Sequence, residues 1–208
     1  AAAACRLLAG GTDLIFIDSG LAGDGIAQTC AAARAAAKPA FTVLLAQTAP
    51  GALQTDALAA KPARLDEAER LLHRAVRVRL PSRVLVVDDS ATMRTIVRKI
   101  LAATRFPLEI TEAQQGSDAI EAAREVAFDI VFVDYNLPGL SGFETMAELR
   151  RENRNPSFVL MTSAQDGAIS GRALAEGAAF LRKPFFPADI EAVLCRFYGL
   201  QSLNPQRS

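Results

Sequence analysis

The chain has 208 residues, with 23 Lys and Arg matched by 23 Asp and Glu, so at ~100–200 residues per domain it holds one large or two small domains. Half of it is apolar and 22% is charged, which excludes a disordered polymer. Zero net charge argues against a general nucleic-acid or acidic-membrane binder, which needs a basic excess.

Residues 14–17 form a short apolar run between Asp13 and Asp18, the pattern of a buried strand. The alanine-rich stretch 31–37 favours helix. Residues 43–46 make a second apolar run, and 65–78 carry a long helical pattern. Pro81 cannot continue a helix and restricts Leu80, so that pattern ends there. The seam Arg79-Leu80-Pro81-Ser82 divides two unlike halves: residues 1–80 carry nine basic and seven acidic residues and 23 alanines.

Beyond the seam, strand and helix signals alternate. Residues 83–87 read as a strand whose apolar run, 84–87, ends at Asp88-Asp89, the pattern of a strand buried on both faces. Ser90 is placed to cap a helix whose inward face is Met93, Ile96, Val97, Ile100 and Leu101. Residues 108–112 read as a strand, and 117–126 as a helix with Ala119, Ile120, Ala123 and Val126 inward. Residues 129–133 are a strand closed by Asp134. Leu137-Pro138-Gly139 and Ser141-Gly142 are loop punctuation. A helix at 143–151, a strand at 157–161 closed by Thr162, a helix at about 167–176, a strand at 178–181 closed by Lys183-Pro184 and a helix at 188–198 complete the pattern. Five strand–helix units imply a parallel sheet covered on both faces. Right-handed crossovers make it doubly wound, with the site at the carboxyl ends of the strands.

Asp88, Asp89, Asp134, Thr162 and Lys183 stand where strands stop, so all open on one edge. One Asp closing a strand is commonly a helix cap; the set together is not explained that way. Three converging carboxylates repel one another and need a cation, and hard oxygen ligands suit Mg²⁺. With one ammonium beside them, the pocket suits a phosphoryl group, with a carboxylate as nucleophile and Thr162 as hydrogen-bond partner.

The segments Val86-Val87-Asp88-Asp89-Ser90, Val133-Asp134-Tyr135-Asn136-Leu137-Pro138-Gly139, Met161-Thr162-Ser163-Ala164 and Arg182-Lys183-Pro184-Phe185 resemble the response-regulator receiver domain of the CheY-like type. The resemblance spans about 82–199 with every motif in order. It implies a flavodoxin-like five-stranded parallel sheet of order 2-1-3-4-5. It implies that Asp134 accepts phosphate from a histidine kinase or phosphotransfer protein. Mg²⁺ is then held by Asp89, Asp134 and the Asn136 carbonyl, with Asp88 acting through water. Lys183 pairs with the phosphate, Thr162 closes on it, and Phe180 is the aromatic that turns inward. A cis Lys183–Pro184 bond and self-hydrolysis of the acyl phosphate also follow, so the chain is read as a timer and not an enzyme.

The first half repeats part of this pattern. Asp13-Leu14-Ile15-Phe16-Ile17-Asp18 matches Asp129-Ile130-Val131-Phe132-Val133-Asp134, and residues 2–8 match the end of the preceding helix. Asp18 to Ala46 spans 28 residues, as does Asp134 to Thr162, and Ala60-Lys61-Pro62 matches Arg182-Lys183-Pro184. Residues 1–80 are thus expected to be a partial or degenerate receiver-like domain, 81–199 a complete one and 200–208 a tail too short for an output domain. Ala46 replaces the hydroxyl, Leu58 the aromatic, and the acid pair is missing, so Asp18 with Lys61 is expected to be a poor acceptor. The partial sheet is expected to leave a strand edge exposed. His73 lies late in its helix, where a cation suits the dipole, and is not read as a phosphotransfer group.

The expected function is a two-component response regulator that acts by phosphorylation-dependent binding of a downstream protein. A homodimer or pairing between the two receiver units is expected, without nucleic acid or membrane insertion. A receiver-fold scaffold that needs no phosphate is the alternative. A Mg²⁺-dependent phosphohydrolase of the HAD type is disfavoured, because the first strand ends in adjacent Asp88-Asp89 and not in D-x-D. Cys5, Cys30 and Cys195 are odd in number and scattered, which fits reduced thiols in a cytoplasmic protein. No apolar run approaches the ~18 residues of a membrane span.

Overall fold

The computed structural model describes residues 11–21, 24–47, 55–152, 155–164 and 167–203. The expected helix end at residues 2–8 lies outside them. The elements in order are β1 (Leu14–Asp18), α1 (Gly25–Ala35), β2 (Phe41–Leu45), β3 (Ala57–Ala59), α2 (Leu65–Val76), a 3-10 turn (Arg77–Arg79), β4 (Ser82–Val87), α3 (Ala91–Ala103), β5 (Leu108–Ala113), α4 (Gly116–Glu125), β6 (Ile130–Asp134), α5 (Gly142–Arg151), β7 (Ser157–Thr162), α6 (Gly167–Ala175), β8 (Ala179–Arg182) and α7 (Pro187–Phe197). They fall into two compact units. One is Pro81–Val193; the other joins the described residues up to Leu80 with those from Leu194 onward.

The larger unit holds a five-stranded sheet, order β5-β4-β6-β7-β8, with every pairing parallel. Side chains alternate across a strand, so Leu85, Val87, Val131, Val133, Phe158 and Leu160 share one face. They pack in one cluster with Ala119 and Ala123 of α4, Phe143, Met146 and Leu149 of α5 and Ala173 of α6. Val84, Val86, Ile130, Phe132, Val159 and Met161 face the other way and are as fully buried. Both faces are therefore covered, which is why these strands read as unbroken apolar runs. The five predicted strands and five predicted helices are all present, with boundaries shifted by one or two residues.

One inward position is corrected. Ile96 is 42% exposed, whereas Val97 and Leu101 are fully buried. At 100° per residue Ile96 sits a quarter turn from Val97, on the rim of the apolar arc. Ser90 caps α3 as expected, its Oγ accepting from Met93 N at 3.3 Å. Ser141 goes further than loop punctuation. It forms a reciprocal capping box with Glu144 at the start of α5.

Gly142 is where α5 approaches the end of β6. A Cβ there would lie 2.4 Å from Asp134 O and 3.0 Å from Tyr135 Cα, both backbone atoms that cannot yield cheaply. Gly142→Ala is therefore expected to cost about 1–3 kcal/mol by overpacking, measured by urea unfolding of the full chain. Wild-type stability in that variant would show that the helix can back away from the strand.

The other unit holds three parallel strands in the order β1-β2-β3. Its register repeats that of the larger sheet: Asp18 pairs with Leu45 as Asp134 pairs with Met161. Ile17, Ile26, Cys30, Leu44 and Leu58 form its core, and Ala46 and Leu203 pack on them. Among the described residues β1 pairs only with β2, so its outer edge is open where β6 has β4. The edge of β3 is partly covered. Leu58 and Gln201 exchange two 2.8 Å hydrogen bonds as an antiparallel bridge. The long helical pattern resolves into α2 followed by the 3-10 turn, and Leu80 is extended before Pro81, as proline sterics require. Among the described residues no helix is long and apolar enough to cross a membrane.

Candidate functional site

The parallel sheet of the larger unit delivers Asp88, Asp134, Thr162 and Lys183 to the carboxyl edge. Asp134 is the last residue of β6 and Thr162 the last of β7. Asp88 and Asp89 follow β4 directly, and Lys183 follows β8. Lys183 N donates to Thr162 O at 2.7 Å, which ties the two strand ends together. The Lys183–Pro184 peptide is cis.

The Lys183 ammonium donates to Asp88 Oδ2 at 2.7 Å and to Asp134 Oδ1 at 2.9 Å. It thus bridges two carboxylates that lie 95 and 49 residues away in sequence. Side-chain exposure is 14% for Lys183 and only 1% for Asp88, so water screens the contact weakly. Asp88 is doubly engaged, because its Oδ1 also accepts from Ser90 N at 3.0 Å. Asp89 is exposed. Ligand oxygens of Asp88, Asp89 and Asp134 lie within 4.8 Å of one another, a hard-oxygen set that fits a divalent cation.

Burial and charge act in opposite directions at this site. Burial pushes the Asp134 carboxyl above its ordinary value. Lys183 opposes that shift, while Asp88 and Asp89 add to it through like charge. Burial works against the Lys183 charge, yet hydrogen bonds to Asp88 and Asp134 hold its pKa above the ordinary lysine value. The one ammonium pairs with two of the three clustered carboxylates, and the three together leave more negative charge than it neutralises.

Thr162 is buried, and its Oγ1 accepts from Ala164 N at 3.0 Å, within the loop that leaves β7. Phe180 is half-buried against the core cluster of the α4–α5 face. Asn136 is exposed on the loop two residues beyond Asp134. Two groups were missed in the sequence. Arg94 reaches back from α3 to Asp88 O at 2.7 Å and Asp89 O at 3.3 Å. Tyr135, next to Asp134, packs edge-on against Phe143 with 5.9 Å between ring centres. Arg94 gave no signal beyond lying one turn after the cap.

The first-half counterparts form a simpler arrangement. Asp18 and Lys61 pair at 2.6 Å, and Asp18 Oδ1 accepts from Gly20 N. Lys61 and that backbone bond hold the Asp18 carboxyl below its ordinary value. Among the described residues no second acidic cluster joins Asp18. His73 lies in the last turn of α2, exposed.

Comparison with known proteins agrees with this geometry. The response regulator receiver domain matches residues 84–194, just over half of the chain. The response regulator GacA of Pseudomonas viridiflava is 31% identical over 126 residues, covering 60% of this chain and 59% of that protein. The protein-glutamate methylesterase/protein-glutamine glutaminase of Symbiobacterium thermophilum is 36% identical over 110 residues, 52% of this chain and 30% of that protein. The chain thus spans between 30% and 59% of the length of these relatives. The signal receiver domain of NarL from Mycobacterium tuberculosis superposes with a TM-score of 0.52 at 26% identity, covering 57% of this chain and 97% of that one. With its carboxylates, hydroxyl and lysine on the carboxyl edge of a five-stranded parallel sheet, the chain belongs to the response regulator receiver domain family.

Proposed function

We propose that the larger unit is a phosphoacceptor switch in a His-Asp phosphorelay. Asp134 takes the phosphoryl group from a histidine kinase or phosphotransfer protein. Residues 1–80 are a partial or degenerate receiver-like domain, and the chain acts by binding a downstream protein. The observation that carries this reading is the two-pronged Lys183 contact to Asp88 and Asp134 beside the Asp88–Asp89–Asp134 cluster.

In the transfer, an Asp134 carboxylate oxygen attacks phosphorus. The new P–O bond forms as the donor's bond to phosphorus breaks, and the donor leaves with the electron pair. Mg²⁺ fits the three carboxylates and supplies charge neutralisation of the phosphoryl oxygens when bound. Asp89, Asp134 and the Asn136 carbonyl would hold it, with Asp88 acting through water. Asp88 suits that indirect role, because both its oxygens already accept protein hydrogen bonds. Lys183 leaves its carboxylate partners to pair with the phosphate. Thr162 exchanges its loop contact for a phosphate oxygen, and Phe180 follows inward as a population shift.

The test is labelling. Acetyl phosphate with Mg²⁺ is expected to place one acyl phosphate on Asp134, located by peptide mapping after borohydride trapping. Label on Asp18, or none at saturating Mg²⁺, would overturn the assignment. Sustained turnover of a phosphate ester would instead make the site that of a phosphohydrolase. Phosphate-independent binding of the downstream protein would favour the scaffold reading.

A further inference from the structure

We infer that Arg94 is a positioning residue for Mg²⁺, clamping the backbone that carries both acid-pair carboxylates. This rests on the phosphoacceptor reading and names the group that sets its metal affinity. Arg94 lies in the first turn of α3, and helix geometry tilts its side chain back toward the N-terminus. Its guanidinium donates to Asp88 O at 2.7 Å and Asp89 O at 3.3 Å. Its Nε pairs with Glu112 of β5 at 3.4 Å, and the side chain is only 16% exposed.

The placement runs against simple electrostatics. The start of a helix carries partial positive charge, so a cation there is disfavoured. What holds the guanidinium is the two carbonyls in front of it and Glu112 behind it. With both carbonyls turned toward Arg94, the backbone of the acid pair has little freedom to rotate. That leaves the carboxylates aimed at the Asp134 side before any cation arrives, so the cost of ordering them on binding is small. Glu112, which Arg98 also touches at 3.0 Å, offsets part of the guanidinium charge that would otherwise repel Mg²⁺. A clamp of this kind orients ligands without touching the ion, as outer-shell partners of metal sites do.

The experiment is Mg²⁺ titration of the full chain. The chain has two tyrosines and no tryptophan, so Tyr135 beside Asp134 serves as an intrinsic fluorescence probe. Arg94→Ala is expected to weaken Mg²⁺ about tenfold. Phosphorylation by acetyl phosphate should slow at limiting Mg²⁺ and recover at saturating Mg²⁺. Arg94→Lys should regain part of the affinity, since an ammonium can still donate to one carbonyl. Glu112→Gln should weaken Mg²⁺ less, through charge alone. If wild type and Arg94→Ala bind Mg²⁺ equally, the clamp is overturned and the phosphoacceptor reading stands. If wild type binds no Mg²⁺ at millimolar concentration, that reading itself fails. Loss of rate at saturating Mg²⁺ would also overturn the proposal, because it would mark damage beyond metal affinity. Unfolding midpoints without Mg²⁺ are measured alongside; a fall matching the affinity loss would assign the effect to general destabilisation and overturn the proposal.

Discussion

Lys183→Ala is expected to destabilise the metal-free protein by about 3 kcal/mol at neutral pH, because it leaves two buried carboxylates facing each other without their shared partner. The size follows from burial. Removing one member of a screened surface pair costs little, whereas here Asp88 and Asp134 are almost wholly withdrawn from water. The sign with pH follows too. The Asp134 pKa is already raised, so Asp134 contributes stability fully below the ordinary carboxylate value of 3.8 and loses it as pH rises through the elevated one. Without Lys183 that loss deepens. The deficit of Lys183→Ala should therefore shrink as pH falls into the carboxylate range, and unfolding curves at neutral and acidic pH would reveal it. Mg²⁺ should also narrow the gap, since a bound cation does part of the work of the ammonium. Lys61→Ala is the control. Lys61 and Asp18 are 61% and 46% exposed, so no change in midpoint is expected. A deficit independent of pH would mean that Lys183 matters for packing and not for charge.

Asp134→Asn is expected to abolish acetyl phosphate labelling outright while raising the midpoint of the metal-free protein. An amide removes the buried charge that Asp88 and Asp89 repel and keeps the shape of the side chain. The loss of one Lys183 partner offsets this in part, but Lys183 retains Asp88. With Mg²⁺ the order should reverse, because wild type gains binding energy that the variant lacks a ligand to collect. Calorimetry with and without Mg²⁺ separates the two states. A midpoint that falls in both would show that the Asp134–Lys183 contact outweighs the repulsion.

If the proposed phosphoacceptor role holds, function and stability are expected to oppose each other at this edge. A pocket able to take up both a cation and a phosphoryl dianion must hold more negative charge than its own lysine neutralises. On the proposed reading, the excess that suits Asp134 to accept a phosphoryl group is also expected to weaken the metal-free fold. The pair Asp18–Lys61 has no such excess among the described residues, and its carboxyl lies below the ordinary value, not above it.

The alternation of strands and helices was legible in the residues alone, since buried parallel strands must be apolar on both faces and helices must repeat near every fourth residue. So were the polar residues that close the strands, and with them the acid pair, Asp134, Thr162 and Lys183. The 28-residue spacing disclosed the repeat in the first half, and the structure carries it as a shared register. Tertiary structure decided what spacing along the chain does not contain. Lys183 meets Asp88 across 95 residues only because β8 and β4 end on the same edge. Ile96 lies at the rim because a helix contacts a sheet along a narrower arc than its apolar residues span. Gln201 joins Leu58 because a tail without periodicity finds its partner through an open strand edge. Arg94 turns toward the acid pair because two backbone carbonyls there face α3, and backbone direction leaves no mark in residue type.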